Sequence, residues 1–192
     1  GCIGIGNSAS THHSGSYYPI FTHIPGFHVV LPSNASDAKG LFATALKSDN
    51  PVIFLEHKLL LNQKEHVQEG TYEIPFGQAR VVREGNDATI VALSVMVHHT
   101  MNAAASLANE GLSIEVIDPR TVAPLDMDTI LKSVHKTGRL LIVDETYMPC
   151  GIGAEIAAQV NTEGFDDLDA PIARLNGAHV PTPYSPTLEE AI

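Results

Sequence analysis

The sequence predicts an α/β fold with mostly parallel sheets. Three observations carry this. Apolar runs of strand length alternate with stretches whose apolar residues recur at helical spacing. Consecutive strands are separated by such helical stretches, the crossover that parallel pairing requires. A polar stretch punctuated by Gly70, Pro75, Gly77 and Gly85 breaks the alternation once, which argues for two domains.

Taken in order, residues 1–18 are rich in Gly, Ser, Thr, His and Tyr and read as loop. His28-Val29-Val30-Leu31, closed by Pro32, suits a buried strand. Ser36 or Asp37 is expected to cap a helix over about 37–48, with Ala38, Leu41, Phe42, Ala45 and Leu46 on one face and Pro51 ending it. Val52 to Leu55 is a second strand. Residues 58–87 read as a surface linker, holding one short strand near 78–83. Beyond it the pattern strengthens. Strands are expected at Thr89–Leu93, Ser113–Ile117, Leu140–Val143 and Ile172–Leu175. Helices are expected at His98–Asn109, stopped by Gly111, from Asp126 as cap to Gly138, and at Gly153–Val160. The tail from Pro181 to Pro186 holds three prolines and should be extended. The first domain, 1–57, is too small to be complete, because a lone strand–helix–strand piece leaves a sheet edge raw. The second is expected over 88–192.

Composition narrows the function. Eleven Lys+Arg against 22 Asp+Glu give a net charge of −11, which argues against a nucleic-acid partner. Charged residues make up only 17%, against about 25% in a typical domain, which suggests surface that a partner covers. Cys2 and Cys150 form no CxxC, so neither a thiolate zinc site nor a disulfide framework is expected. No apolar run reaches the roughly 18 residues of a membrane span. The opening Gly-Cys-Ile-Gly-Ile-Gly, without an initiator Met, is expected to be the interior of a longer chain.

Candidate motifs are few. Gly4-Ile5-Gly6-Asn7-Ser8-Ala9 fits G-x-G-x-x-A, but no strand precedes it and the first acidic residue is Asp37. Gly151-Ile152-Gly153 reads as a tight strand-to-helix turn, because Asp144 and Glu145 would repel an anion there. Ten histidines include the adjacent pairs His12-His13 and His98-His99. Adjacent helical residues point about 100° apart, which does not make a chelate. His98-His99 is expected to be a solvated first turn, and His57, His66, His135 and His179 ordinary surface or boundary residues. His12-His13-Ser14 differs. It lies in a small-residue loop beside Tyr17 and Tyr18, the kind of setting in which catalytic side chains occur.

Five segments together resemble one family: His12-His13-Ser14, THIPGFHVVLPSNASDAKGLFATALKSDNPVIFLEHK over 22–58, IDPRTVAPLD over 117–126, KTGRLLIVDE over 136–145, and PTPYSPTLEEA near the end. The chain is similar to the beta subunit of the thiamine-diphosphate-dependent decarboxylating component of 2-oxo acid dehydrogenase complexes. Pyruvate, branched-chain and acetoin dehydrogenases belong to this group. The resemblance covers essentially the whole chain. It implies a three-layer, mostly parallel transketolase C-terminal domain, preceded by part of an α/β pyrimidine-binding domain.

The resemblance also implies an activity: oxidative decarboxylation of a 2-oxo acid and acyl transfer to lipoamide. Thiamine diphosphate would sit between subunits and carry the difficult chemistry. Magnesium would be held by the alpha subunit. The implied partners are that alpha subunit, a second beta subunit and a dihydrolipoyl acyltransferase core. The implied compartment is the cytoplasm of a bacterium or the mitochondrial matrix of a eukaryote. His13 occupies the family's catalytic histidine position, where an imidazole can give or take a proton. The next pair is Ser14-Gly15, where the family has Ser-Gln. Ala45, Leu46, Ser48 and Asn50 match a potassium site at a helix end. The isolated chain is expected to be inactive. A piece of a single-chain transketolase-like enzyme, or a non-catalytic dimerisation and docking module, are the alternatives.

Overall fold

The computed structural model describes residues 1–192. The first segment runs β1 (Cys2–Ile3), α1 (Ser10–Ser14), α2 (Tyr18–Thr22), β2 (His28–Val30), α3 (Ala35–Ala45), β3 (Val52–Phe54) and β4 (Glu56–His57), with a 3-10 turn over Lys58–Leu60. The second runs β5 (Arg80–Arg83), β6 (Ala88–Ala92), α4 (Met96–Ala108), β7 (Ile114–Asp118), β8 (Thr121–Ala123), α5 (Met127–Thr137), β9 (Leu140–Tyr147), α6 (Ile152–Glu163), β10 (Ala173–Gly177) and α7 (Pro186–Glu189).

The larger sheet has five strands in the order β10-β9-β6-β7-β5. Its pairings are parallel except at the β5 edge, which runs antiparallel to β7. Its strands read as near-continuous apolar runs because both faces are covered. On one face α4 places Val97 and Ala104 over Ile90, Ala92, Ile114 and Val116. On the other, Ile130 and Val134 of α5 and Ile156 and Val160 of α6 pack on Val91, Ile117 and Ile142. These are three layers, helix, sheet, helix. Asp126 caps α5 by accepting the Thr129 N–H at 3.1 Å, and Gly138 closes it with φ 68°.

The apolar cluster on the second face does not stop at the break in the sequence. It takes in Tyr18, Val29, Leu31 and Leu55 from the first segment. Full burial of side chains of this kind is worth about 1.5–3 kcal/mol each, so the two segments share one core. They also share a sheet. The three-stranded sheet has the order β3-β2-β8: β3 pairs parallel with β2, and β8 from the second segment pairs antiparallel on the other side. The raw edge expected of the first segment is thus covered by the second.

Several expectations are corrected. The opening residues are not simply loop. Cys2 and Ile3 pair parallel with Glu56 and His57, and two short helices follow. The cap of α3 is Asn34, whose Oδ1 accepts the Asp37 N–H at 2.8 Å. Ser36 and Asp37 are occupied elsewhere, Ser36 Oγ donating to the His66 carbonyl and Asp37 accepting from Arg120. Helix α4 starts at Met96, and His98 is not a solvated residue: its Nε2 donates to the Ser33 carbonyl at 2.7 Å. The end of the linker lies along α3, with the Ile74 N–H on the Gly40 carbonyl at 3.1 Å and Thr44 Oγ1 on the Ile74 carbonyl at 2.7 Å. The tail holds no regular structure over 181–185, and the short helix α7 begins at Pro186, where the expected extended stretch ends. No helix is long and apolar enough to cross a membrane.

Candidate functional site

His13 lies exposed on α1, in a loop that runs from Gly4 to Ser16. Asn7, Ser8 and Ser10 hold left-handed backbone angles, with φ of 61°, 50° and 55°. Such angles cost of order 1 kcal/mol or more each at a non-glycine residue and persist only where the surroundings impose them. Between Ile5 and Ser16 only Ser14 is fully buried, so apolar packing does not impose them. Polar tethers do. Lys58 Nζ donates to the His13 carbonyl at 3.0 Å and to Ser14 Oγ at 3.2 Å. Glu189 Oε1 accepts the Ser8 N–H at 3.2 Å, and Thr11 Oγ1 donates to the Thr182 carbonyl at 3.2 Å. A cleft of about 470 Å³ opens beside the loop, lined among others by Ala9, His12, His13, Gly15 and Lys58. The His12 and His13 rings stand 6.3 Å apart and tilted by 47°.

The buried partner of this loop is a histidine that sequence reasoning placed at the surface or boundary. His57 is 1% exposed. Its Nδ1 accepts the Leu59 N–H at 3.2 Å, which leaves the proton on Nε2. That proton is donated to Glu145, whose oxygens lie 3.1 and 3.2 Å away. Glu145 also accepts the Ile5 N–H at 2.8 Å on Oε1 and the Ser16 hydroxyl at 2.9 Å on Oε2. The signal for His57 was present in the sequence. Leu55 is buried, Glu56 exposed and His57 buried, the period-2 alternation of a strand. The Gly4 motif finds its reason here as well. A Cβ at Gly4 would lie 1.9 Å from His57 Nε2, and its φ is +105°.

Next to Glu145, Asp144 is buried and accepts from the Tyr18 hydroxyl, from the Thr146 N–H at 3.0 Å and from Thr146 Oγ1 at 2.6 Å. Burial raises the Asp144 carboxyl above its ordinary range. Burial, then the Asp144 charge, pushes the Tyr18 phenol well above its own. A second buried network closes the junction of the two segments. Arg120 Nη1 donates to Asp37 Oδ1 at 3.0 Å and Arg120 Nε to the Gln78 carbonyl at 3.0 Å. Asp118 accepts from Ser33 Oγ at 2.5 Å and from the Arg120 N–H at 2.9 Å. Burial raises its carboxyl to about 6.

Ala45, Leu46, Ser48 and Asn50 share one tight turn at the C-terminal end of α3. Ser48 N–H donates to the Ala45 carbonyl at 3.2 Å, and Ser48 Oγ donates to the Asn50 carbonyl at 3.0 Å. The Ser48 hydroxyl is therefore committed within the turn. A larger cavity, about 840 Å³, lies between α2, the end of β8 and the β9–α6 turn, with Tyr17, Pro124, Tyr147 and Gly151 in its walls. No group of three or more His, Cys, Asp or Glu side chains is placed to hold a metal ion.

Comparison with known proteins follows this geometry. A model described as the C-terminal domain of transketolase matches residues 77–192, and one for the transketolase pyrimidine-binding domain matches residues 1–64. The chain is 49% identical over 188 residues to the acetoin:2,6-dichlorophenolindophenol oxidoreductase subunit beta of Cupriavidus necator, covering 98% of this chain and 56% of that one. It is 48% identical over 187 residues to the protein of the same name from Bacillus subtilis, covering 97% and 55%. It is 46% identical over 187 residues to the pyruvate dehydrogenase E1 component subunit beta of Rickettsia bellii, covering 97% and 58%. The chain thus spans little more than half the length of these curated relatives. Among solved structures, a split-gene transketolase described as an inactive beta4 tetramer superposes with a TM-score of 0.74 at 23% identity, over 86% of this chain and 54% of that one. That likeness speaks to the fold.

Proposed function

This chain belongs to the transketolase C-terminal domain family, and on that premise we propose that it is part of the beta subunit of a thiamine-diphosphate-dependent 2-oxo acid dehydrogenase. The support is its 46–49% identity to acetoin and pyruvate dehydrogenase beta subunits across nearly its whole length. That those relatives are named as subunits favours this reading over a single-chain transketolase-like enzyme. The observation that carries a catalytic reading is the loop at His13, exposed at a cleft, strained in its backbone and tied down by polar bonds.

Thiamine diphosphate, when bound, would supply the nucleophilic carbon and the electron sink for cleaving the 2-oxo acid. The residues beside the cleft fit a proton-handling role more than a diphosphate site. Its one lysine, Lys58, is already spent on the His13 carbonyl and Ser14. The diphosphate and its magnesium are proposed to lie on the alpha subunit, as the resemblance implies. His13 is bound through its carbonyl oxygen, which leaves the imidazole to hydrogen-bond the reacting group and to move a proton during acyl transfer. For the turn at Ala45, Leu46, Ser48 and Asn50 the proposal is potassium bound through backbone carbonyls. Ser48 closes the turn, and no chemical step depends on the ion.

The proposed partners are the alpha subunit, a second beta subunit and a dihydrolipoyl acyltransferase core, in a bacterial cytoplasm or a mitochondrial matrix. Apolar side chains exposed at Ile20, Phe42, Leu46, Phe165 and Tyr184 offer surface for such contacts. The test is His13→Ala in the full-length beta subunit assembled with its alpha partner. Acyl transfer to lipoamide should fall by about 10²- to 10⁴-fold, the scale of one positioned acid–base group. An unchanged rate removes His13 from the mechanism.

A further inference from the structure

We infer that Glu145 is a positioning residue for His13, holding the two ends of its loop on a single carboxylate. The inference rests on the catalytic reading of His13 given above. Ile5 and Ser16 lie either side of the strained stretch, eleven residues apart in sequence, and both bond to Glu145. One carboxylate thereby fixes the span of the loop, as a clasp does. Nothing apolar duplicates this, since Ser14 is the one buried residue between the two ends.

Glu145 is itself held. It sits near the end of β9, which lies between β10 and β6 in the five-stranded sheet, and is 12% exposed at its side chain. Its third donor is the buried His57 Nε2–H, which fixes the plane of the carboxylate. His57 lies on β4, whose pairing with β1 anchors the chain just before the loop begins. Lys58 follows it and reaches the His13 carbonyl and Ser14. The route from Glu145 to His13 is thus short and polar throughout. Position within about 1 Å governs what a proton-transferring group can do, so loosening such a clasp reaches the chemistry without removing any reacting atom.

A glutamine at 145 is nearly isosteric and can keep the Ile5 N–H and His57 Nε2–H on its one oxygen, but its NH2 must face Ser16, whose hydroxyl then accepts instead of donating, and the negative charge that strengthens all three bonds is lost. The experiment uses the full-length beta subunit with its alpha partner and four proteins: the parent, Glu145→Gln, His13→Ala, and the double variant. Glu145→Gln should lower kcat for acyl transfer to lipoamide by about 10- to 100-fold, with KM for the 2-oxo acid within about twofold. In the His13→Ala background the same change should cost nothing further, because its effect passes through His13. Amide hydrogen exchange over residues 5–16 should quicken in Glu145→Gln.

Equal losses in both backgrounds, or exchange that does not change, would overturn the inference while leaving His13 catalytic. Full activity in His13→Ala overturns the functional reading itself, and the exchange data then decide separately whether Glu145 holds the loop. If Glu145→Gln does not assemble, Ser16→Ala removes one end of the clasp alone and is judged by the same three criteria.

Discussion

Gly4 owes its place to the imidazole beneath it. With φ +105° and the His57 ring at the position of its absent Cβ, no side chain fits, and His57 is too buried to yield. Gly4→Ala should destabilise the full-length chain by about 2 kcal/mol or more, read from chemical denaturation, with His57→Ala partly restoring the loss by making room. A Gly4→Ala chain as stable as the parent would show that the close approach is not needed. The same pair shows what was legible at this scale. The Gly-x-Gly pattern could be freed of a dinucleotide role from the sequence by its missing acidic residue, whereas the expectation that no strand precedes it is corrected by β1, which ends at Ile3. Its true reason could not be read, since His57 lies more than fifty residues away in sequence. His57 itself is readable from strand parity, although its polarity points to the surface or boundary. Asn34, Ser36 and Asp37 are all residue types that cap helices, so residue type alone does not single out Asn34.

At the scale of elements, the helices and central strands followed from periodicity, and the short strands did not. Strand β8 has three residues, Thr121–Ala123, between Pro119 and Pro124, and shows no alternation to mark it. It is a strand because β2 offers an edge and Arg120 brings it there. Strand β1, of two residues, depends in the same way on β4. Arg120 is 8% exposed and ties Asp37 of α3 to the start of β8. Arg120→Ala removes one partner of a buried pair and should cost about 3 kcal/mol, because the buried Asp37 carboxylate is left with only Asn34 and the more distant Arg80 as partners. Equilibrium unfolding of the full-length chain measures this. A cost below about 0.5 kcal/mol would mean that the pair is no more than a surface contact.

For the whole molecule, the junction between segments carries a dependence on pH. Asp118 faces Ser33, Asp37, Arg80 and the Arg120 backbone, and its carboxyl is raised by burial to about 6. The unfolded chain releases that proton near pH 4, so between about pH 4 and 6 the folded state binds more protons. The contribution of Asp118 is therefore fully present below that window and is lost as pH rises through it. Melting temperatures of the parent and of Asp118→Asn, taken from pH 4 to 7.5, should diverge over this range, the parent losing ground as pH rises. A constant difference would assign the group an ordinary acidity. The resemblance across 22–58 made the family legible. Composition located the polar break, but neither revealed that core and sheet run across it. That three-stranded sheet sets a rule of fit. The segment bearing Val29 and Val30 and the segment bearing Thr121 and Ala123 form one register, so a substitution that shifts either strand must be answered in the other. The two halves are therefore fitted to each other at this register, and neither strand is complete as an edge without the other.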